Sequence, residues 1–246
     1  MEQFFTKDYH GAPFTLFDSA HLAALGLIAL IGLSFIFARK LWGENTKRTF
    51  RYFLAGWLIV WEVGWHVLNL AWDTWTIQTM LPFHLCSIIV WLSVYMLINK
   101  TYSIFEVTYF LGIGGALQAL LTPDAGIYGF PHYRAFQTFA SHGGIVLASL
   151  YFAVVEGYRP TLKSFKRVLV WTNVYMVVIF FLNLAIGSNY LFIAFKPPFP
   201  TLLDVLAPWP WYILELEVIA FIILGVMYLP YLLMDLRRAK SQQVQI

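Results

Sequence analysis

A histidine and the only cysteine of the chain lie two residues apart in the stretch Leu81-Pro82-Phe83-His84-Leu85-Cys86-Ser87. A thiol attacks an acyl ester when a nearby base takes its proton, and imidazole commonly serves as that base. A single cysteine excludes an intrachain disulfide and any Cys-x-x-Cys motif. Because a lone buried cysteine is usually a small hydrophobic residue, nucleophilic chemistry at Cys86 requires an activating partner.

The elements that would position these groups can be read from the apolar run that follows. It continues to Ile98, where Asn99 and Lys100 end it. Pro82 is compatible with the first turn of a helix. We therefore predict a helix over 81–98, with Cys86 about one and a half turns from its start.

The composition places this helix in a membrane. Of 246 residues, 60% are hydrophobic, 19% aromatic and only 12% charged, which leaves too few polar residues to cover a soluble fold. The fold class predicted is all-α: a polytopic integral membrane helical bundle that forms a single domain over 1–246. At about 20 residues per transmembrane helix, we assign seven spans. They cover about 19–38, 51–71, 81–98, 103–121, 135–155, 166–186 and 211–234.

The basic residues orient these seven spans. Thirteen Lys and Arg residues fall on one side of the predicted membrane and three on the other. The positive-inside rule then puts the N-terminus outside and the C-terminus in the cytoplasm of a multi-pass cell-membrane protein. Because the basic residues lie in short loops and form no stripe with aromatic residues, nucleic-acid binding is not expected.

Polar side chains gather in the outer halves of the predicted spans. In span 2, Glu62, His66 and Asn69 are spaced i, i+4 and i+7, which is one helical face. Because a charged side chain in lipid costs about 2.5–3.5 kcal/mol, such groups should face the bundle interior and pair. The other spans contribute His84, Cys86, Gln118, Gln137, Ser141, His142 and Glu215. We predict a polar cavity that opens toward the outer leaflet.

The segment 187–210 contains five prolines and is too broken to span a membrane, so it is predicted to be an outer loop or a re-entrant cap. Asn189 and Tyr190 lie near its start. They either cap span 6 or line the mouth of the cavity.

Three motifs resemble a known family: Leu-Pro-Phe-His-Leu-Cys at 81–86, His142-Gly143, and Gly-Ser-Asn-Tyr-Leu-Phe at 187–192 followed by Lys196-Pro197. The resemblance is to the YwaF-type bacterial integral membrane proteins, whose animal relative is transmembrane protein 164. It covers most of the chain from span 2 to span 7. It implies a bundle related to the androgen-induced-protein lipid hydrolases, and by analogy with the animal relative it implies acyl transfer between phospholipids. By motif, Cys86 matches the nucleophile and His142 its base.

The predicted helix positions are compatible with that pair. Cys86 and His142 lie at depths that differ by only about 3 Å. His84 is about 200° around the helix from Cys86, so it would face another wall of the cavity as an orienting group or an oxyanion donor. The expected reaction is thiol attack on an acyl ester, followed by transfer to a lysolipid hydroxyl or to water. Phospholipids or lysophospholipids would then be the partners, without a metal or other cofactor, while the oligomeric state stays open.

Structural interpretations remain open for the same residues. His142 could make only a hydrogen bond between helices, and Glu62 with His66 could form a structural pair. Glu215, near Trp209 and Trp211, could simply be interfacial.

Two other functions are also compatible with the sequence. His66, His84 and His142 resemble the three-histidine zinc site of the seven-helix alkaline ceramidases, although span 7 contains no histidine. A transporter or ligand-binding membrane protein would use the same polar cavity to recognise a small molecule, but we find no inverted repeat in the sequence.

Overall fold

The structure is a computed structural model that describes residues 3–124, 126–197 and 202–243, without the side chains of 202 and 238–243. All regular secondary structure in these residues is helical. The helices are α1 (Ser19–Leu41), α2 (Glu44–Ala71), α3 (Leu85–Asn99), α4 (Tyr102–Val107), α5 (Ile113–Leu121), α6 (Tyr133–Val154), α7 (Leu162–Ile186) and α8 (Trp211–Gln243). A π-helical turn, Thr108–Gly112, joins α4 to α5, and short 3-10 turns lie at Tyr190–Phe192 and Leu202–Val205.

The all-α prediction is confirmed, and each predicted span coincides with a helix or, for 103–121, with the continuous run α4 to α5. Five helical stretches in the described part of the chain are long and apolar enough to cross a membrane: Ser19–Leu41, Glu44–Ala71, Tyr102–Leu121, Leu162–Ile186 and Trp211–Arg237. Only 11% of the most apolar part of α1, α7 or α8 is buried. Leu30, Phe37 and Phe181 are each more than 60% exposed. Such surfaces require an apolar solvent, as in a membrane protein.

The predicted start of the third helix is wrong by four residues. Residues 81–84 form turns, and α3 begins at Leu85. Cys86 is therefore in the first turn of α3. Since His84 precedes the helix, the helical angle predicted between His84 and Cys86 does not apply.

The chain divides into two compact units, and the first comprises Met1–Trp75 and Leu85–Tyr158. Helix α6 forms its core, because most residues of α6 are buried against α1, α2, α3 and α5. Close approach requires glycine on α6: a Cβ atom at Gly144 would lie 2.7 Å from Leu58 Cδ2, and one at Gly143 would lie 2.7 Å from Ile28 Cδ1. The burial of α6 explains why it is less apolar than a lipid-facing helix.

An ion cluster ties together one end of this unit. The carboxylate of Glu156, just after α6, lies 2.5 Å from Lys100 Nζ and 3.8 Å from Arg51 Nε. The hydroxyl of Tyr151 donates to Glu156 at 2.9 Å, and Arg51 donates to the carbonyl oxygen of Leu97 at 2.8 Å. These contacts fix the start of α2, the end of α3 and the end of α6.

The second unit comprises Thr76–His84 and Arg159–Ile246. Helix α7 ends at Gly187, whose φ of 67° is the left-handed conformation that favours glycine. The side chain of Asn183 then bonds both backbone polar groups of Tyr190, at 2.8 and 2.9 Å. The fully buried Tyr190 side chain packs against Ile179 and Ile193 in the core of this unit.

Parts of two predictions lie outside the described residues. They are 198–201, within the segment predicted to be an outer loop or re-entrant cap, and the side chains of Arg238 and Lys240 in the basic tail. The single-domain assignment over 1–246 stays a prediction.

Candidate active site

The α2 side of the candidate site consists of Glu62 and His66, which do form the predicted pair. Glu62 is only 5% exposed, and its Oε1 atom lies 3.8 Å from Nε2 of His66. The indole N–H of Trp75 donates to His66 Nδ1 at 3.0 Å. Since Nδ1 is an acceptor, a neutral His66 carries its proton on Nε2, which faces the carboxylate.

The α6 side of the site centres on His142, which is half-buried. Its Nδ1 atom lies 2.7 Å from the carbonyl oxygen of Thr138, one turn earlier. A carbonyl can only accept, so Nδ1 carries the proton of the neutral ring. The lone pair of His142 is therefore on Nε2, which is the form required of a general base.

Cys86 is a half-buried free thiol in the first turn of α3. It packs beside α5, where a Cβ atom at Gly115 would lie 4.0 Å from its Sγ. No hydrogen bond joins Cys86 to His142 within the part of the chain that the structure describes. The candidate nucleophile and base thus belong to the same unit without a direct contact.

Sequence reasoning missed Arg134 as a member of this site. Its guanidinium lies over the ring of Trp65 at 4.4 Å and donates to Oε1 of Gln137 at 2.6 Å. Gln137 in turn donates to the hydroxyl of Ser141 at 3.3 Å. The signal was present in the sequence, because Arg134, Gln137 and Ser141 are spaced i, i+3 and i+7 along one face of α6.

Charge links these groups into one cluster. Asp124 and Glu62 both interact electrostatically with Arg134, and Glu62 also interacts with Cys86. Arg134 interacts in the same way with His142. The first unit therefore brings together groups from α2, α3 and α6 that the sequence places far apart.

Two predicted cavity residues of the first unit have other surroundings. Gln118 on α5 is exposed. Asn69 is buried, but its amide donates to the carbonyl oxygen of Trp65 and its Oδ1 accepts from Thr74. Asn69 therefore stabilises the end of α2.

The remaining predicted residues belong to the second unit. The ring of His84 lies 5.0 Å from that of Tyr190 and 5.1 Å from that of Phe192, and its Nδ1 accepts from the backbone N–H of Leu191 at 3.4 Å. The hydroxyl of Tyr190 donates to Ile77 O at 2.7 Å and accepts from Leu81 N at 2.9 Å. These contacts anchor the loop 76–84 to the turn after α7.

Asn189 and Glu215 also stabilise backbone of the second unit. Asn189 bonds Ala194 and Phe195 through its side-chain amide. Because Gly187 ends α7, Asn189 organises the following loop instead of capping that helix. Glu215 accepts from the backbone N–H of Ala207 at 2.8 Å, which gives it a specific contact beyond an interfacial position.

The described residues do not bring together the three histidines that the zinc hypothesis requires. Among residues 3–124, 126–197 and 202–243, no three His, Cys, Asp or Glu side chains are grouped as metal ligands. His66 faces Glu62 and Trp75, whereas His142 is bonded to Thr138.

The lipid-facing helices and the polar cluster inside the first unit define a helical membrane protein. The chain belongs to the TMEM164 family, whose model matches residues 16–228. This match confirms the resemblance to transmembrane protein 164 at the level of the family. No curated protein and no solved structure matches the chain.

Proposed function

We propose that this TMEM164-family protein is an intramembrane lipid-modifying enzyme, an acyltransferase or ester hydrolase that acts on phospholipid or fatty-acyl ester. Cys86 is the nucleophile and His142 the base. The observation that carries the proposal is the Nδ1 contact of His142 with Thr138, because it leaves the Nε2 lone pair available for a thiol proton. Cys86, a free thiol in the same unit, is the matching nucleophile.

The membrane arrangement belongs to the same proposal. The chain is a multi-pass protein of the cell membrane, of the YwaF type found in bacteria, with seven spans, the N-terminus outside and the C-terminus cytoplasmic. Support comes from the seven helical stretches that coincide with the predicted spans and from the distribution of basic residues between the loops. Helices α3 and α6 complete the seven proposed spans.

The reaction has two steps with balanced proton transfers. Sγ of Cys86 attacks the ester carbonyl carbon while His142 Nε2 takes the thiol proton. The tetrahedral intermediate collapses, the ester C–O bond breaks, and His142 returns the proton to the leaving alcohol. An acyl thioester on Cys86 remains. His142 then takes a proton from a lysolipid hydroxyl or from water, whose oxygen attacks the thioester carbonyl carbon. The C–S bond breaks, and His142 returns the proton to Sγ, which restores the thiol.

The position of Cys86 in the first turn of α3 favours this chemistry. The first backbone N–H groups of a helix have no acceptor within it. The N–H groups of Cys86 and Ser87 are among them, so they are candidate donors for the oxyanion of the tetrahedral intermediate.

The test is labelling of the purified protein with a lipid-like electrophile, combined with acyl transfer from a phospholipid to a lysophospholipid. We expect wild type to label faster than a free thiol, Cys86→Ala not to label, and His142→Ala to label at the free-thiol rate. The control Ser87→Cys in a Cys86→Ala background moves the thiol about 100° around the helix and should stay slow.

A Cys86 thiol that reacts no faster than a free thiol, regardless of His142, would overturn the proposal. Stoichiometric metal and loss of activity to a chelator would then favour the zinc hydrolase. Saturable binding or movement of a solute without acyl transfer would favour the transporter.

A further inference from the structure

Arg134 is a cation that the described residues leave without a carboxylate at ion-pair distance. No Asp or Glu oxygen lies within 4.0 Å of its guanidinium in the residues that the structure describes. The groups that contact it are neutral: Gln137 Oε1 at 2.6 Å, the carbonyl oxygen of Asp124 at 3.4 Å and the Trp65 ring at 4.4 Å. The carboxylates of Asp124 and Glu62 act on it electrostatically from beyond ion-pair distance. Because only neutral groups contact this half-buried guanidinium, it can still bind an anion.

The guanidinium also keeps unused donors. It has five N–H groups, and the contacts with Gln137 and Asp124 each use one. Its planar fork matches two oxygens of a phosphate group. Arg134 lies in the first turn of α6, where the helix dipole adds positive potential. The positive charge of Arg134, its unused N–H donors and the positive end of the α6 dipole therefore lie at the same place.

The location of Arg134 connects this anion site to the candidate base. Arg134 and His142 are eight residues apart on α6, about 12 Å along its axis and on neighbouring parts of its surface. Arg134 acts electrostatically on both His142 and Glu62. A phosphate held by Arg134 would thus place the rest of a lipid molecule along α6, toward His142.

We propose that Arg134 is a positioning residue that binds the phosphate group of the lipid, with Trp65 and Gln137 orienting its guanidinium. This inference rests on the proposed function and adds to it the residue that would hold the phosphate of a phospholipid substrate. Arg134 takes no part in bond making.

Binding without turnover tests the inference. An ether-linked lysophospholipid and an ether-linked monoalkylglycerol of the same chain length present the same tail with and without phosphate, and neither contains an ester. Wild type should bind the phosphate probe about tenfold to a hundredfold more tightly. In Arg134→Gln this preference should disappear. Arg48→Gln, which removes an exposed arginine of α2, should keep it.

A second variant protects the test against misfolding. Gln137→Glu is nearly isosteric and places a carboxylate next to the guanidinium, so Arg134 is paired internally and should lose the phosphate probe as well. Arg134→Lys, which keeps the charge and loses the fork, should show an intermediate preference. Inorganic phosphate is then added as a competitor of the lysophospholipid probe. If it competes only weakly, the ligand of Arg134 is a lipid headgroup. If phosphate alone binds tightly, the lipid assignment is overturned.

Activity separates this inference from the proposed function. Arg134→Gln should raise KM for a phospholipid more than it lowers kcat, whereas Arg48→Gln should leave KM unchanged. If acyl transfer occurs but the phosphate preference persists in Arg134→Gln, the inference is wrong and the proposed function stands. If the preference depends on Arg134 but Cys86 is unreactive, the anion site stands and the proposed function fails.

Discussion

The Nδ1 atom of His142 and the carbonyl oxygen of Thr138 lie 2.7 Å apart, one turn from each other on α6. This contact fixes the tautomer of a half-buried imidazole and points its basic nitrogen away from its own helix backbone. An intrahelical contact orients the ring without help from another helix.

His142→Asn tests the role of that basic nitrogen. The asparagine amide can replace the Nδ1–H donor toward Thr138, but it cannot accept a proton, so the fold should persist while thiol reactivity or acyl transfer falls by about 10²–10⁴-fold. The measurement is the labelling rate of Cys86 together with turnover. His10→Asn changes an exposed histidine and serves as the control. Full activity in His142→Asn would contradict the assignment of the base.

His132 predicts an acid-sensitive fold. Burial lowers the pKa of His132, whose Nδ1 accepts from Arg134 N at 3.0 Å and whose Nε2 lies 2.9 Å from Thr6 O. Because the unfolded chain binds the proton more readily, the stabilising contribution is complete above the ordinary pKa of about 6.5 and is lost as the pH falls below it.

The measurement for His132 is the apparent melting temperature between pH 8 and pH 5. His132→Asn can still cap α6 but does not titrate, so it should flatten the acid side of the curve. His10→Asn should leave the curve as in wild type. An unchanged acid slope in His132→Asn would assign the sensitivity to another group.

Tyr190→Phe should destabilise the second unit. The change removes the hydroxyl that donates to Ile77 O and accepts from Leu81 N, so two backbone groups lose a partner. The expected cost is about 1–3 kcal/mol. It should appear as a lower apparent melting temperature, while Tyr95→Phe, at a 52% exposed tyrosine, should have no effect. Equal stability of the two variants would show that the hydroxyl of Tyr190 is not structurally required.

Gly144→Ala should be destabilising by about 1–3 kcal/mol, because its Cβ would lie 2.7 Å from Leu58 Cδ2 in a packed helix contact. Gly225→Ala adds a Cβ with nothing within 4 Å inside α8 and should not be destabilising. Thermal unfolding of both single variants and of Gly144→Ala with Leu58→Ala gives the coupling energy. If the double variant lost at least the sum of the two single effects, the close contact between α2 and α6 would be refuted.

The proposed topology is tested by a membrane-impermeant maleimide. In a Cys86→Ala background, Lys7→Cys should label in intact cells, since the N-terminus is expected outside. Lys163→Cys, in the first turn of α7, should label only after permeabilisation. The reverse pattern would invert the orientation, and labelling of both from outside would contradict the seven-span count.

The sequence by itself determined the helical membrane class, because 60% hydrophobic residues in runs of about 20 leave no alternative to lipid-facing helices. It also identified the Glu62–His66 pair, since two polar residues four apart must share a helical face. The start of α3 could not be predicted from the sequence. Leu81 and Phe83 are as apolar as a span, and contacts with residues distant in the chain, Tyr190 with Leu81 N and Tyr175 with Phe83 O, hold this segment in turns.

Only the tertiary structure decided which polar residues share a site. The sequence analysis placed His84 on another wall of the same cavity as Cys86, yet the ring of His84 packs against Tyr190 and Phe192 in the second unit. Conversely, Arg134 reads as a loop residue in the sequence, and the fold brings it over Trp65 from a distant helix. Periodicity fixes the face of one helix, whereas packing between helices depends on side-chain shape at every contact, and that information is not local in the chain.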